Sequence, residues 1–203
     1  MRGLLVDFGG VLTTNVFESF RAFSEGEGLD PDAVKNLFRE RGEGLDLLRQ
    51  LERGEVSNED FSPRFGALLG VEDTTNLTQR LFAQVGPDEP MVEAVRRAKQ
   101  GGIKTGLISN SWGDRGQYDD LAMDDIFDAV VISGEVGLHK PEPEIFRLGA
   151  ERVGVPPEEC VFVDDLKENC EGAEAVGMTA ILHRGAEATL PELELLLGVT
   201  LGA

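Results

Sequence analysis

Four short segments of this 203-residue chain deliver polar side chains at the ends of apolar runs. In the first, Leu4-Leu5-Val6-Asp7-Phe8-Gly9-Gly10-Val11-Leu12-Thr13, one acid enters a turn softened by two glycines. A carboxylate at a buried strand end is costly unless a cation or a ring of hydrogen-bond donors stands beside it, so Asp7 reads as a nucleophile kept in such company. Gly9 and Gly10 let the backbone approach an anion and turn N–H groups toward it. Taken alone, the segment is equally well an ordinary strand-to-turn aspartate. The other three segments weigh against that. The run Ile103-Lys104-Thr105-Gly106-Leu107-Ile108 ends in Ser109-Asn110-Ser111, a hydroxyl and an amide at a strand's carboxyl end. His139-Lys140-Pro141-Glu142-Pro143 places a lysine just ahead of two prolines that fix the entry into a helix. Finally, Val161-Phe162-Val163 runs into Asp164-Asp165, with Asn169 four positions on. Adjacent acids repel unless a cation sits between them or one is protonated.

Such groups need elements to position them. After the first strand the apolar spacing turns helical: Val16, Phe17, Phe20 and Phe23, then Val34, Leu37 and Phe38, then Leu45, Leu47, Leu48 and Leu51, then Phe61, Phe65, Leu68 and Leu69, then Leu77, Leu81 and Phe82. This pattern predicts a bundle of short helices with the phenylalanines in its core. Asp30-Pro31 and Ser57 with Asp60 read as helix starts, and Gly42, Gly54 and Gly70 as punctuation. From Pro87 onward helix and strand alternate, which implies parallel strands joined by crossovers. The expected fold is therefore α/β: a Rossmann-like parallel sheet built from residues 1–14 and 87–203, with a small helical cap, residues 15–86, inserted after the first strand. Open parallel sheets bind ligands outside the carboxyl ends of their strands. All four polar segments lie at such ends and so converge beneath the cap.

An acid, a serine, a lysine and an acidic pair in this order, spread over residues 7 to 169, resemble the four-motif signature of the haloacid dehalogenase (HAD) superfamily. Asp7-Phe8-Gly9-Gly10-Val11-Leu12-Thr13, Lys140-Pro141-Glu142-Pro143-Glu144-Ile145-Phe146 and Phe162-Val163-Asp164-Asp165 look closest to the branch containing the N-terminal phosphatase domain of soluble epoxide hydrolase. The resemblance implies a magnesium-dependent phosphatase acting on a small phosphorylated metabolite. Asp7 would attack phosphorus and form an aspartyl-phosphate. Asp7, the Gly9 carbonyl and Asp165 would hold Mg²⁺. Ser109, Asn110 and Lys140 would bind the transferring phosphoryl oxygens, with Phe8 and Gly9 beside them. Asp164 and Asn169 would act from behind, orienting Lys140 and the acidic pair. One position departs from the pattern: phosphatases of the superfamily carry a second aspartate two residues after the nucleophile, and here that place is Gly9. A positioned acid–base group is worth roughly 10²- to 10⁴-fold in rate. Metal-bound water, His139 or a cap residue are candidate substitutes, and restoring an aspartate at Gly9 could strain the backbone. The departure also keeps a metal-independent 2-haloacid dehalogenase and a non-catalytic phosphate-binding protein as alternatives, although a dehalogenase has no use for Asp164-Asp165. Asn15, Phe17, Arg41, Trp112 and Tyr118 are candidates for substrate contact.

Composition bounds the rest. A formal charge of −19, from 38 acids against 19 bases, argues against nucleic acid or an anionic membrane as a partner. No run approaches the ~20 apolar residues of a membrane span, and the N-terminus lacks a basic-then-apolar signal, so a cytoplasmic location is expected. Cys160 and Cys170 suit neither a zinc site nor, in that compartment, a disulfide, and are expected to be free packing residues. His139 and His183 lack a metal-ligand pattern.

Overall fold

The computed structural model of the chain describes residues 1–39, 42–112, 118 and 123–202. Five strands, β1 (Gly3–Val6), β2 (Lys104–Ser109), β3 (Ala129–Ile132), β4 (Cys160–Asp164) and β5 (Thr179–Leu182), form one parallel sheet in the order β3-β2-β1-β4-β5. Their apolar runs lack alternation because both sheet faces are covered by helices. Leu4, Val6, Leu107 and Val163 pack against α6 (Glu89–Gln100) and α11 (Ala186–Leu197). Leu5, Ile108 and Phe162 pack on the other face against α9 (Pro143–Val153) and α10 (Lys167–Glu174). With β1 central, Asp7, Ser109 and Asp164 end adjacent strands.

Among the described residues five helices stand between β1 and α6: α1 (Val16–Gly26), α2 (Ala33–Arg39), α3 (Glu43–Glu52), α4 (Asn58–Leu69) and α5 (Leu77–Leu81). They bury their own apolar core, formed by Phe20, Phe38, Phe61 and Phe65 with Leu47, Leu48 and Leu51 of α3 and Leu77 and Leu81 of α5. Ser57 caps α4 as its sequence predicts, its Oγ accepting from the Asp60 N–H at 3.2 Å. Asp30-Pro31 leads into α2, the Asp30 carboxylate accepting from the Asp32 N–H at 2.9 Å just ahead of the helix, which runs from Ala33. Two connectors lead into and out of this helical unit and pair with each other: the Thr14 N–H donates to the Gly86 carbonyl at 2.8 Å and the Asp88 N–H to the Leu12 carbonyl at 2.8 Å. Trp112, just past β2, inserts among the insertion's aromatic rings, 4.9 Å from the Phe82 ring and 5.4 Å from that of Phe38. Two single-turn helices, α7 (Met123–Ile126) and α8 (Ser133–Val136), flank β3. Among the described residues no helix is long and apolar enough to cross a membrane.

Candidate active site

At the carboxyl edge of the sheet, β1 delivers Asp7, β2 delivers Ser109 and Asn110, β4 delivers Asp164 and Asp165, and the loop before α9 delivers Lys140. The Lys140 ammonium is 1% exposed and sits between two carboxylates, 2.6 Å from Asp7 Oδ1 and 2.8 Å from Asp164 Oδ2. Asp164 is fully satisfied: beyond Lys140 it accepts from Asn169 Nδ2 at 3.0 Å and from the Leu166 N–H at 2.9 Å. Asp165 is less engaged, with the pull of Lys140, its own backbone N–H and Arg184 acting on its carboxylate. Its carboxylate lies against the Gly9–Gly10 turn, so close that a Cβ on Gly10 would stand 2.6 Å from Asp165 Oδ2. Gly10 also has a φ of +74°, which only glycine adopts at no cost.

Among the described residues Lys140 is thus set against three acids, with Arg184 acting more weakly on Asp165. Burial, reinforced by Asp164 and Asp165 and opposed by Lys140, pushes Asp7 up to about 7. Burial and Asp164 push Asp165 up to about 6. Burial acts to lower Lys140, but Asp164 and Asp7 outweigh it and hold the ammonium charged. Oxygens of Asp7, Asp164 and Asp165 lie within 4.8 Å of one another. A surplus of crowded carboxylate oxygens is the donor set a hard divalent cation prefers, so the residues fit magnesium. Among the described residues Asp164 carries the most hydrogen bonds of the three, so Asp7, which is paired with Lys140, and Asp165 could hold such an ion.

The turn differs from its sequence reading in two respects. Gly10 does not present its N–H to an anion, because that group donates to Thr13 Oγ1 at 3.0 Å. Gly9 does not occupy a glycine-only conformation: the positive φ belongs to Gly10, and a Cβ on Gly9 would meet only Val16 Cγ2, at 3.3 Å. The hydroxyl of Ser109 lies 3.0 Å from that of Tyr118, whose ring packs edge-on against Phe8 at 4.6 Å. Burial raises the Tyr118 phenol, which therefore stays protonated. The Asn110 amide accepts from the Lys140 N–H at 2.9 Å and donates to its carbonyl at 3.2 Å, tying the β2 end to the lysine loop.

Of the residues offered for substrate contact, Asn15 caps α1 by accepting from the Phe17 N–H at 2.9 Å, Phe17 and Trp112 pack against the insertion's core, and Tyr118 is buried behind Ser109. Arg41 lies outside the described residues. His139 lies behind Asn110 with Nε2 2.6 Å from Glu52 Oε2. Glu52 carried no signal in the sequence, being one of 38 acids and 87 positions from its partner. Both cysteines are free and buried. Cys160 is pushed up to about 11 and Cys170 to about 12, in each case mainly by burial.

The chain matches the family of haloacid dehalogenase-like hydrolases over residues 1–177. It is 34% identical to bifunctional epoxide hydrolase 2 of Sus scrofa over 99% of its own length and 40% of that protein. It is 34% identical to phosphatase MT3486 of Mycobacterium tuberculosis over 67% of its own length and 57% of that protein. The chain spans 40% or less of the epoxide hydrolases and the acyl-CoA dehydrogenase family member that it matches. Its fold is similar to that of a HAD family enzyme of Bacteroides thetaiotaomicron solved in complex with magnesium and inorganic phosphate, with a TM-score of 0.68 and 21% identity over 91% of this chain and 95% of that one.

Proposed function

Because the chain belongs to the haloacid dehalogenase-like hydrolases, we propose that it is a magnesium-dependent phosphatase of a small phosphorylated metabolite. The observation that carries this reading is the excess of acids: among the described residues Asp7, Asp164 and Asp165 converge on Lys140, with Arg184 acting more weakly on Asp165, and the acids stay in excess until a further cation joins them. Phosphatase MT3486, similar over two thirds of the chain, lends support.

In this reading Asp7, the Gly9 carbonyl and Asp165 hold the magnesium, which when bound neutralises phosphoryl charge as Asp7 approaches. An Asp7 oxygen forms a bond to phosphorus while the bond to the leaving oxygen breaks, and water then cleaves the aspartyl-phosphate to release phosphate and regenerate Asp7. Ser109, the Asn110 N–H and Lys140 bind the phosphoryl oxygens, with Phe8 shaping the wall through its contact with Tyr118. Asp164, anchored by Asn169, keeps Lys140 aimed at Asp7. Residues 15–86 act as the cap that screens the leaving group. With glycine at position 9, the leaving oxygen takes its proton from water rather than from an aspartate, which favours leaving groups of low pKa.

The test is phosphate release from p-nitrophenyl phosphate with and without magnesium, run beside halide release from 2-haloacids. Magnesium-dependent phosphate release is expected. Metal-independent halide release would instead make the protein a dehalogenase, the reading that Gly9 favours. In the same assay Asp165→Asn raises the magnesium concentration needed for half-maximal rate. An unchanged titration would shift the ligand role to Asp164.

A further inference from the structure

A chain of close polar contacts that ends on the nucleophile begins in the helical insertion, at Glu52. Glu52 closes α3 and, like His139, is only 9% exposed. The His139 Nε2 lies 2.6 Å from Glu52 Oε2 and 3.0 Å from Asn110 Nδ2. Asn110 in turn grips the backbone of Lys140 on both its N–H and its carbonyl, and the Lys140 ammonium touches Asp7. The Lys140 N–H fixes which end of the Asn110 amide is oxygen, so it is the NH₂ that faces His139. An imidazole nitrogen offers one proton or one lone pair, so a single proton lies between His139 and Glu52. With that proton on Nε2, the ring donates to the carboxylate, and Asn110 donates to the Lys140 carbonyl alone.

Neighbouring contacts close the same corner. The Glu52 carbonyl accepts from Ser133 Oγ, which accepts from the Ser111 N–H at 2.8 Å. Arg53 pairs with Glu142, whose second oxygen accepts from the His139 N–H at 3.3 Å. Gly54, at a φ of +71°, lies so close to Gly134 that a Cβ would stand 2.6 Å from the Gly134 carbonyl oxygen. Three consecutive residues of the insertion thus end on segments that flank Asn110 or Lys140. Docking alone does not call for this chemistry, since apolar side chains would join the two units without the cost of burying a carboxylate and an imidazole.

We infer that Glu52 and His139 are positioning residues: Glu52, carried by the insertion, holds His139 against Asn110 and thereby sets the phosphoryl-binding edge formed by Asn110 and Lys140. The kinetic part of this inference rests on the phosphatase reading; the spectroscopic part does not.

With p-nitrophenyl phosphate as probe, Glu52→Ala should lower kcat on the order of tenfold or more. KM and the magnesium titration should move by less than about threefold, because the lost alignment matters in the transition state and the metal carboxylates are untouched. Glu52→Gln, whose amide oxygen still accepts from Nε2, should recover most of kcat. The double variant Glu52→Met/His139→Phe removes both polar partners while keeping their volume, which spares the fold an unpaired buried charge. It should fold and still show the kcat loss. In ¹⁵N-labelled protein without substrate, the Asn110 side-chain amide resonances should shift in Glu52→Ala and in the double variant. Wild-type kcat in either folded variant, Glu52→Gln as impaired as Glu52→Ala, or Asn110 resonances unmoved by both variants would each overturn the inference. If the wild-type protein releases no phosphate, it is the phosphatase reading that fails, and the Asn110 resonances alone decide the relay.

Discussion

Asp7 is the residue on which the electrostatic arguments meet. Its folded-state pKa, about 7, is raised above the ordinary carboxylate range by burial and by two neighbouring acids. For an acid, a raised folded-state value means that ionisation costs stability: the penalty is absent well below the unfolded value near 4, grows as pH climbs toward 7, and is full above it. Asp7→Asn should therefore abolish phosphatase activity yet leave the magnesium-free protein as stable as wild type or more so, with a larger gain in Tm at pH 8 than at pH 5. Lys140 keeps Asp164 at 2.8 Å in that variant, so no buried charge is orphaned. A drop in Tm at pH 8 would mean that the Asp7–Lys140 pair outweighs the crowding. Gly9→Asp is the complementary test. Because Gly9 is free of the positive φ that Gly10 carries, the substitution should fold, and it should raise kcat for alkyl phosphates far more than for p-nitrophenyl phosphate, whose leaving group needs no proton. Equal gains on both substrates would show that protonation of the leaving group does not limit the reaction. At this scale the convergence of Asp7, Ser109, Lys140, Asp164, Asp165 and Asn169 was legible because all four polar segments were expected at the carboxyl ends of parallel strands, where the structure brings them together. Glu52 and the burial of Tyr118 were not, since each depends on a partner that only the folded chain brings near.

Helices and strands were legible where a local rule decides them. The Ser57–Asp60 pair announced α4, and short apolar runs ending in polar groups announced β2 and β4. The single turns α7 and α8 were not, being too short to show a period. Nor did local pattern reveal that the C-terminal end of α3 docks on the loop before α9, although Gly54 was visible as punctuation. That junction makes a prediction at the element scale. Gly54→Ala incurs the penalty of a positive φ and a collision with the Gly134 backbone, and should destabilise the protein by about 1–3 kcal/mol in urea unfolding. Gly70→Ala is the control, because Gly70 has a similar φ of +78° but nothing within 4 Å of the place its Cβ would take. Equal losses in the two variants would mean that the Gly54–Gly134 contact contributes nothing to stability.

For the whole molecule, alternating helices and strands implied a parallel sheet, but not that β1 lies between β2 and β4, the order that brings the acid, the serine and the acidic pair to adjacent strand ends. A net charge of −19 surrounds this site, while its substrate is expected to be an anion. Long-range repulsion should slow encounter at low salt, where the screening length is about 30 Å, and fade at 0.15 M, where it is about 8 Å. At constant free magnesium, kcat/KM for a phosphomonoester should therefore rise with ionic strength. A fall would reveal a local positive funnel that overrides the global field. The two thiols carry a different consequence. Cys160 begins β4, and Cys170 sits on α10 with its sulfur 3.7 Å from the Asp164 carbonyl oxygen. Only a thiolate reacts readily with alkylating reagents, and both groups are enclosed and held far from ionisation. Alkylation of Cys160 must wait for β4 to come away from its neighbours and that of Cys170 for α10 to lift from the sheet, which makes the cysteines a built-in clock for opening around the acidic pair. Magnesium, binding only the closed arrangement, should slow the clock in proportion to its occupancy, and rapid labelling of the folded protein would show that the thiols are reached without any opening.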